Sequence, residues 1–217
     1  MKKQLAVLVL SLYSALASAE GGPRTLLEMA GVHAAPGRLS DSIVVVIDAQ
    51  REYLDGALPL PGIRAAISEG AKLLARARTA HTPIVHVVHH GGRGLFDPST
   101  PYYAIVPALA PRQGESVVEK ALPNAFAGTN LQQVLASTGR KHLIVIGFMT
   151  HMCVSATVRA ALDRGFTTTV VAGATATRDL PDRHGGTVPA ALVQRASLAA
   201  LADRFATVVT GQVDITE

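Results

Sequence analysis

The sequence predicts an α/β fold in which a parallel β-sheet is covered by helices on both faces. Segments rich in β-branched residues alternate with segments of helical spacing along the chain. The strand segments are continuous apolar runs such as SIVVVI at residues 42–47, which is typical of strands buried on both faces. With 217 residues, of which 48% are hydrophobic, and no internal repeat or dividing linker, the chain can form one packed domain.

Each further element follows from its local pattern. Residues 61–80 predict a helix, because apolar side chains recur at helical spacing and Pro61 suits a first turn. Residues 24–39 suggest a helix followed by a loop. The glycine- and proline-rich residues 91–114 predict a long irregular excursion, which in a compact domain is commonly functional or partner-binding. The other predicted strands are residues 84–88, 116–118, 143–146, 167–171 and 207–209, and the other helices are residues 129–137, 154–164 and 189–205.

Residues 1–19 predict a signal peptide. A pair of lysines precedes the apolar run 5–16, which is too short to span a bilayer comfortably, and the Ala-Ser-Ala triplet ending at Ala19 fits the small-x-small cleavage rule. We therefore expect cleavage before Glu20 and a single domain over residues 20–217. That domain would be exported, periplasmic or secreted, with no membrane attachment after cleavage. The alternative is an amphipathic or buried N-terminal helix.

Charge and cysteine content exclude several classes of function. The chain has 20 Lys plus Arg and 16 Asp plus Glu, a formal charge of +4, and its basic residues are scattered rather than clustered. No nucleic-acid partner is therefore expected. The single cysteine, Cys153, excludes an intramolecular disulfide and a zinc site of the multi-cysteine kind.

Three reactive side chains follow predicted strands. Asp48 comes directly after the first strand, Lys120 follows the VVE run, and Cys153 lies just beyond LIVIGFMTHM, where the next helix begins. In parallel α/β sheets, ligands bind beyond the carboxyl ends of the strands, near the point where the strand order reverses. One crevice could therefore collect all three side chains.

The chemistry of these residues suits nucleophilic catalysis. Cys153 is the expected nucleophile, since a helix N-terminus favours thiolate. Asp48 could accept the thiol proton and pass it to a leaving amine, while Lys120 would hold the carboxylate and stabilise the thiolate. Backbone amides of Met149 and Cys153 could face the oxygen of a tetrahedral intermediate. The competing interpretation is structural: a buried cysteine, a turn aspartate and a surface lysine.

Four stretches of the chain share the motifs of a known family. They are VVVIDAQREYL at residues 44–54, VVEKALPNAFAGTNL at 117–131, VIGFMTHMCVSATVRAALDRGF at 145–166 and VVAGATATRD at 170–179. In these motifs and their order, the chain resembles the isochorismatase-like cysteine hydrolases, which include nicotinamidases and N-carbamoylsarcosine amidases. The central CVSATVRAALDRG block is the specific one.

The resemblance implies a structure and a reaction. The implied fold is a Rossmann-like three-layer α/β/α sandwich with a six-stranded, mainly parallel sheet, and a cis peptide at Phe148–Met149. The implied Asp–Lys–Cys triad is Asp48, Lys120 and Cys153. Family members that hydrolyse a vinyl ether generally lack the cysteine, so its presence points to cleavage of a C–N amide bond of a small molecule through a thioester. Two alternatives stay open: a vinyl-ether hydrolase using Asp48 and Lys120, and a non-catalytic binding or redox-sensing protein with Cys153 as an oxidisable thiol.

The resemblance also raises the question of a metal. Nicotinamidases typically carry an Asp-x-His metal site after the second strand, but residues 86–94 read HVVHHGGRG here. His89 and His90 are adjacent and would point to opposite faces of a strand, so we expect no metal and no cofactor. One of the two histidines is expected to line the substrate pocket; we assign His90 to it, with Tyr53 and Phe126.

Two further expectations concern His151 and the 91–114 excursion. Many family members have Asp two residues before the nucleophile, where this chain has His151; that side chain could tune the thiol or be solvated, and we assign it no catalytic role. In related proteins, loops near the 91–114 excursion meet a neighbouring subunit. The resemblance therefore implies a homo-oligomer.

Overall fold

The structure is a computed structural model, and it describes residues 22–217. The predicted signal peptide, residues 1–19, lies outside the described residues. Eight strands and five helices are present among those described. The strands are β1 (Ser42–Ile47), β2 (Ile84–His89), β3 (Ser116–Lys120), β4 (His142–Phe148), β5 (Thr167–Ala176), β6 (Leu180–Pro181), β7 (Thr187–Val188) and β8 (Thr207–Val209), and the helices are α1 (Leu26–Met29), α2 (Ile63–Thr79), α3 (Leu131–Ala136), α4 (Ser155–Asp163) and α5 (Ala190–Arg204).

The central sheet has six parallel strands in the order β3-β2-β1-β4-β5-β8. Alternate residues of β1 enter two separate apolar cores. Val44 and Val46 join the core beneath α2, whereas Ile43, Val45 and Ile47 join the core beneath α3, α4 and α5. The predicted three-layer α/β/α sandwich with helices on both faces is therefore confirmed.

The strand order reverses beside β1. The chain proceeds outward from β1 to β2 and β3, and then crosses to β4 on the other side. This is the topological switch point at which open α/β sheets bind their ligands. The residues that follow β1 and β4 are Asp48 and Met149, so Asp48 and the segment that leads to Cys153 lie at the switch point.

A glycine lets β1 and β4 meet closely at this edge of the sheet. Gly147 pairs with Ile47 and has a φ of +117°, a conformation that side chains rarely adopt. A Cβ at Gly147 would come within 2.0 Å of the Ile47 carbonyl oxygen. The backbone that leads from β4 to Cys153 thus depends on the absence of a side chain here.

Several element boundaries differ from the prediction, and β5 differs most. It was predicted to end at residue 171 but continues to Ala176, with Thr175 and Ala176 still paired to β4. The extension has small residues in place of a β-branched run, so its strand pairing is set by β4 rather than by local propensity. The β6–β7 hairpin was not predicted. Residues 91–114 contain two short 3₁₀ turns and one isolated bridge residue, Ile105, which pairs with Gln50; this agrees with an irregular excursion.

Two other segments contain only short helices. Residues 24–39 contain the one-turn helix α1 followed by a loop, and α3 begins at Leu131 rather than at Thr129. The N-cap of α3 is Asn130 rather than Thr129. The Thr129 hydroxyl nevertheless accepts a hydrogen bond from the Leu131 N–H at 3.1 Å. Within residues 22–217, no helix combines the length and the apolarity needed to cross a bilayer.

Candidate active site

Asp48 is fixed by the turn that ends β1. It is fully buried, and its φ of +48° lies in the left-handed region, which few residues other than glycine adopt and which Asp tolerates better than most. The Asp48 N–H donates to the Val87 carbonyl at 2.9 Å, which ties the turn to β2. A strained, buried carboxylate at the switch point is a feature commonly found at functional sites.

Lys120 brings the predicted residues together. It is the last residue of β3 and is buried. Its Nζ lies 2.8 Å from Asp48 Oδ2, 3.3 Å from Cys153 Sγ and 2.9 Å from His89 Nδ1. One ammonium therefore faces three groups that can accept its three protons. The predicted proximity of Asp48, Lys120 and Cys153 is observed, and His89 is an addition to the set.

Cys153 lies on a π-helical turn, Thr150–Val154, between β4 and α4. Its side chain is 5% exposed. The preceding peptide, Phe148–Met149, is cis, as the family resemblance implied. The nucleophile position thus follows directly from the backbone that leaves β4 at the switch point.

The protonation of the site differs from our expectation. Burial raises the pKa of Cys153 to about 12, with a further contribution from the Asp48 carboxylate that the Lys120 ammonium only partly offsets. This shift is opposite to the one that the expected resting thiolate requires, and it favours the neutral thiol. The Lys120 ammonium does not compensate for the desolvation of the sulfur.

Asp48 is well placed as a proton acceptor. Burial raises its pKa, opposed by Lys120 and by the thiol. Among the described residues, neither Asp48 oxygen has a hydrogen bond of good geometry, so the contact with Lys120 is an ion pair at close range rather than an aligned hydrogen bond. A buried carboxylate with unused lone pairs beside a neutral thiol can take the thiol proton.

The assignment of His90 to the pocket is wrong, and His89 takes its place. His89 pairs with Lys120 across β2 and β3, which points both side chains to the same face of the sheet. Burial, and then the Lys120 ammonium, lower the pKa of His89 to about 4, so its ring is neutral and Nδ1 can accept the lysine proton. His90 is 45% exposed and lies 2.7 Å from Glu119.

Of the two aromatic residues assigned to the pocket, one lines it and one does not. A cavity of about 300 Å³ opens on the sulfur, and Tyr53 forms part of its wall. Phe126 is not in this wall; its ring stacks on Phe166 at 6.1 Å and lies under the Arg164 guanidinium at 4.8 Å, within the second core. The assignment of Phe126 is therefore wrong. The wall includes Tyr53, His89, Phe96, Met149, Met152, Cys153 and Arg178.

One group of potential metal ligands lies in the site. Oxygen, nitrogen and sulfur atoms of Asp48, His89 and Cys153 all lie within 4.8 Å of one another. The Lys120 ammonium contacts each of the three residues within 3.3 Å. A cation already occupies the position that a metal ion would need, so the donor set fits a lysine ammonium better than a metal ion.

Sequence reasoning missed Arg178 and the residue that supports the site, Gln50. Arg178 lines the cavity and lies two residues beyond the end of β5 at Ala176. Because the sequence predicts that β5 ends at residue 171, Arg178 is not expected to follow a strand. Gln50 is buried; its amide donates to the carbonyls of His89 and Tyr103 and accepts the His89 N–H at 2.8 Å. It therefore links the segment after β1 to the end of β2 and to the excursion.

His151 is half-buried. Its Nδ1 is hydrogen-bonded to the Thr177 hydroxyl, and Nε2 is buried with no partner among the described residues. Burial, and then Arg178, lower the pKa of His151, so the ring is neutral. No direct contact between His151 and the sulfur is observed in the described part of the chain.

The fold and the site define a known class of hydrolases. The family model described as the isochorismatase domain matches residues 42–213. The chain belongs to the isochorismatase family of hydrolases.

Individual relatives agree with the family assignment. The chain is 40% identical over 186 residues to the secreted isochorismatase effector Isc1 of Verticillium dahliae, covering 85% of this chain and 95% of that protein. It is 31% identical over 146 residues to maleamate amidohydrolase of Pseudomonas putida, covering 59% and 68%. A crystal structure of an isochorismatase from Pseudomonas putida matches with a TM-score of 0.85 and 42% identity, covering 89% of this chain and all of that one.

Proposed function

We propose that the protein hydrolyses a C–N amide bond of a small molecule through a thioester on Cys153. The observation that carries this proposal is the position of one buried ammonium, Lys120, against both Asp48 at 2.8 Å and Cys153 at 3.3 Å. This arrangement opens on a cavity of about 300 Å³, which is the size of a small-molecule site. The relative named maleamate amidohydrolase supports amide cleavage as the reaction.

The proposed first half-reaction forms the thioester. Asp48 takes the Sγ proton as the sulfur attacks the amide carbonyl, and a C–S bond forms. Lys120 stabilises the sulfur while it carries negative charge, and the N–H groups of Met149 and Cys153 are assigned to the oxyanion. The C–N bond then breaks, Asp48 returns the proton to the leaving nitrogen, and ammonia or an amine departs.

The second half-reaction restores the enzyme. Asp48 takes a proton from water as the water oxygen attacks the thioester carbonyl. The C–S bond breaks, the proton returns to Sγ, and a carboxylic acid leaves. The raised pKa of Asp48, caused by burial, strengthens it as a base and as the acid that follows. Neither half-reaction requires a metal or a cofactor.

The test is a panel of primary amides, carbamoyl compounds and lactams, read as release of ammonia or amine. Cys153→Ala should abolish turnover while its circular dichroism and melting curve match the parent protein. Hydroxylamine added during turnover should capture the acyl group as a hydroxamate, and mass spectrometry of the quenched enzyme should find the acyl group on Cys153. Full activity in Cys153→Ala would reject the proposal.

The second candidate is vinyl-ether hydrolysis, and it is favoured by the relative named as an isochorismatase effector. In that reaction Asp48 would supply the proton and Lys120 would stabilise charge, with Cys153 dispensable. Turnover of a vinyl ether by Cys153→Ala, with no amide cleavage by the parent protein, would support this candidate. If neither substrate class reacts and the thiol oxidises reversibly, the non-catalytic thiol protein is the better account.

We propose export as the location of the protein. The positively charged start, the apolar run and the Ala-Ser-Ala triplet of residues 1–19 support it, and so does the word "secreted" in the name of the Verticillium relative. N-terminal sequencing of the protein from the extracellular or periplasmic fraction should begin near Glu20. An intact Met1 on protein confined to the cytoplasm would contradict export.

A further inference from the structure

We propose that Glu52 is a positioning residue of the active site, because its carboxylate holds the Phe96 ring against His89. The imidazole of His89 accepts a proton of the Lys120 ammonium through Nδ1 at 2.9 Å. Glu52 therefore acts on the ammonium through two other side chains, without lining the cavity itself. This inference rests on the proposed amide hydrolysis, in which Lys120 stabilises the charged sulfur, and it adds a residue that keeps the ammonium in place.

Glu52 is a buried carboxylate held by backbone N–H groups rather than by a cation. It lies on the 3₁₀ turn Arg51–Tyr53, is 2% exposed, and forms no ion pair within residues 22–217. Its Oε1 accepts the Ala57 N–H at 2.7 Å, and its Oε2 accepts the Phe96 N–H at 3.1 Å. A buried charge is costly unless hydrogen bonds satisfy it, so these two N–H groups fix the carboxylate and are fixed by it.

The two N–H groups belong to two segments of the cavity wall. Ala57 directly precedes the wall residue Leu58, and Phe96 is in the wall itself, 44 residues from Glu52 along the chain. The Glu52 carbonyl also accepts the Leu58 N–H at 3.2 Å. The turn packs tightly on the carboxylate, because a Cβ at Gly56 would come within 2.8 Å of Glu52 Oε1. Glu52 thus joins the segment after β1 to the 91–114 excursion beside the cavity.

Phe96 needs such an anchor because its backbone is strained. Its φ of +55° lies in the left-handed region, which a bulky residue rarely adopts and which persists only where the surroundings impose it. The Glu52 carboxylate accepts the Phe96 N–H, and the Gly91 N–H donates to the Phe96 carbonyl at 3.1 Å. Hydrogen bonds thus hold both sides of the strained residue. Loss of the carboxylate should therefore let residues 91–96 relax.

The Phe96 ring carries this constraint to the site. It packs edge-on against the His89 imidazole, with the ring centroids 5.1 Å apart, and it contacts the Tyr53 ring at the same separation. His89 is half-buried, and its Nδ1 faces the Lys120 ammonium. An edge-on aromatic contact favours one orientation of the neighbouring ring. Without the Phe96 ring, His89 would be free to turn away, and Lys120 would lose one of its three acceptors.

Histidine NMR tests this link without a substrate. Burial, then the Lys120 ammonium and then His90 lower the pKa of His89 to about 4. In Glu52→Gln an amide NH₂ replaces one acceptor oxygen, so the His89 ring should be released, regain water and titrate closer to its ordinary pKa of 6.5. At pH 7.5 the His89 Nδ1 resonance should also move as the hydrogen bond from Lys120 weakens. An unchanged resonance and an unchanged titration of His89 would overturn the inference.

Two further variants separate positioning from general stability. Phe96→Leu keeps the backbone N–H but removes the ring, so it should shift the His89 titration in the same direction as Glu52→Gln. Glu69→Gln is the matched control, because Glu69 also accepts a backbone N–H, that of Gln212 at 2.7 Å, but lies outside the cavity wall. It should lower the melting temperature and leave His89 unchanged. A shift of His89 in Glu69→Gln, or none in Phe96→Leu, would contradict the positioning role.

Turnover of an amide supplies the second test. Glu52→Gln should lower kcat by no more than about tenfold, the effect of one misplaced charged donor. In the His89→Ala background the same substitution should cause almost no further loss, because both changes act on Lys120 through one ring. Losses that multiply would overturn the inference. Absence of amide turnover in the parent protein would reject the proposed reaction instead, and the NMR result would still decide the role of Glu52.

Discussion

Among single residues, Lys120 organises the site because its ammonium is shared between a carboxylate, a thiol and a neutral imidazole. The three acceptors come from three different segments of the chain; Asp48 and Cys153 are buried, and His89 is half-buried. In this environment the balance of charge between Asp48 and Lys120 decides whether the sulfur is ionised.

Removing the Asp48 charge should separate thiol reactivity from turnover. In Asp48→Asn the carboxylate that raises the pKa of Cys153 is gone while Lys120 remains, so the thiol pKa should fall from about 12. We expect alkylation by iodoacetamide at pH 7.5 to become faster than in the parent protein, although amide turnover is lost because no base remains. A slower alkylation rate in Asp48→Asn would show that Asp48 does not govern the thiol.

The two adjacent histidines offer a matched test of position. His89→Ala removes an acceptor of the Lys120 ammonium, and we expect kcat to fall by about tenfold, the effect of one misplaced charged donor. His90→Ala should change kcat less than twofold, because its ring lies outside the pocket. His89→Gln, which keeps an acceptor, should recover part of the loss. Equal effects of the two alanine variants would contradict the assignment of His89.

The reactive residues could be predicted from the sequence because parallel strands end at one edge. Asp48, Lys120 and Cys153 each follow a strand that is recognisable from its own residues. The choice between His89 and His90 could not be made, since it depends on where β2 ends and on its register with β3. The protonation of Cys153 could not be predicted either, because it follows from burial.

At the level of the secondary-structure elements, the accuracy of the prediction depended on how locally each strand is specified. β1 and β8 were predicted with their observed bounds, since their β-branched residues carry the signal themselves. The second half of β5 is AGATA, which has no strand signal and is ordered by its neighbour β4. Because this half has no strand signal, the position of Arg178 just after a strand could not be predicted.

The contact between β1 and β4 predicts a strong effect of a single methyl group. Gly147→Ala would place a Cβ 2.0 Å from the Ile47 carbonyl, so we expect a loss of about 2–4 kcal/mol in the free energy of unfolding, measured in urea. Gly165→Ala is the control. Its φ of +75° is also positive but no atom lies within 4 Å, so its cost should be about 1 kcal/mol. Similar losses would contradict the steric explanation.

The hydrogen bonds of Glu115, the residue before β3, predict that the stability of the fold falls at acidic pH. Burial alone would raise the pKa of Glu115, but hydrogen bonds from Arg78, the Arg112 N–H and His86 lower it to about 2. The contribution of Glu115 is therefore complete above its ordinary value of 4.5 and is lost as the pH falls towards 2. Glu115→Gln should be less stable at pH 7 and should show a flatter decline of melting temperature between pH 4.5 and 2.5. An unchanged pH dependence would contradict this account.

For the whole molecule, the three-layer fold could be predicted because it follows from the alternation of strands and helices along the chain. Homo-oligomer formation stays a prediction from the family resemblance. Two exposed apolar side chains at the cavity are available for a contact between subunits. Met152 is 39% exposed and lines the cavity, and Leu122 is 54% exposed and directly precedes the cavity residue Pro123. Light scattering after size exclusion should give a multiple of the monomer mass. A monomer at micromolar concentration would contradict the prediction.

The order of the strands in the sheet predicts which part of the protein is lost first on heating. Lys120 is carried by β3, a five-residue strand that within residues 22–217 pairs with β2 alone. Edge segments detach at a lower free energy than the interior of a sheet. Detachment of this strand would withdraw the ammonium and leave the buried aspartate beside a protonated thiol, with the remaining five strands still assembled. On heating, catalytic activity should therefore be lost at a temperature several degrees below that at which the helical signal is lost.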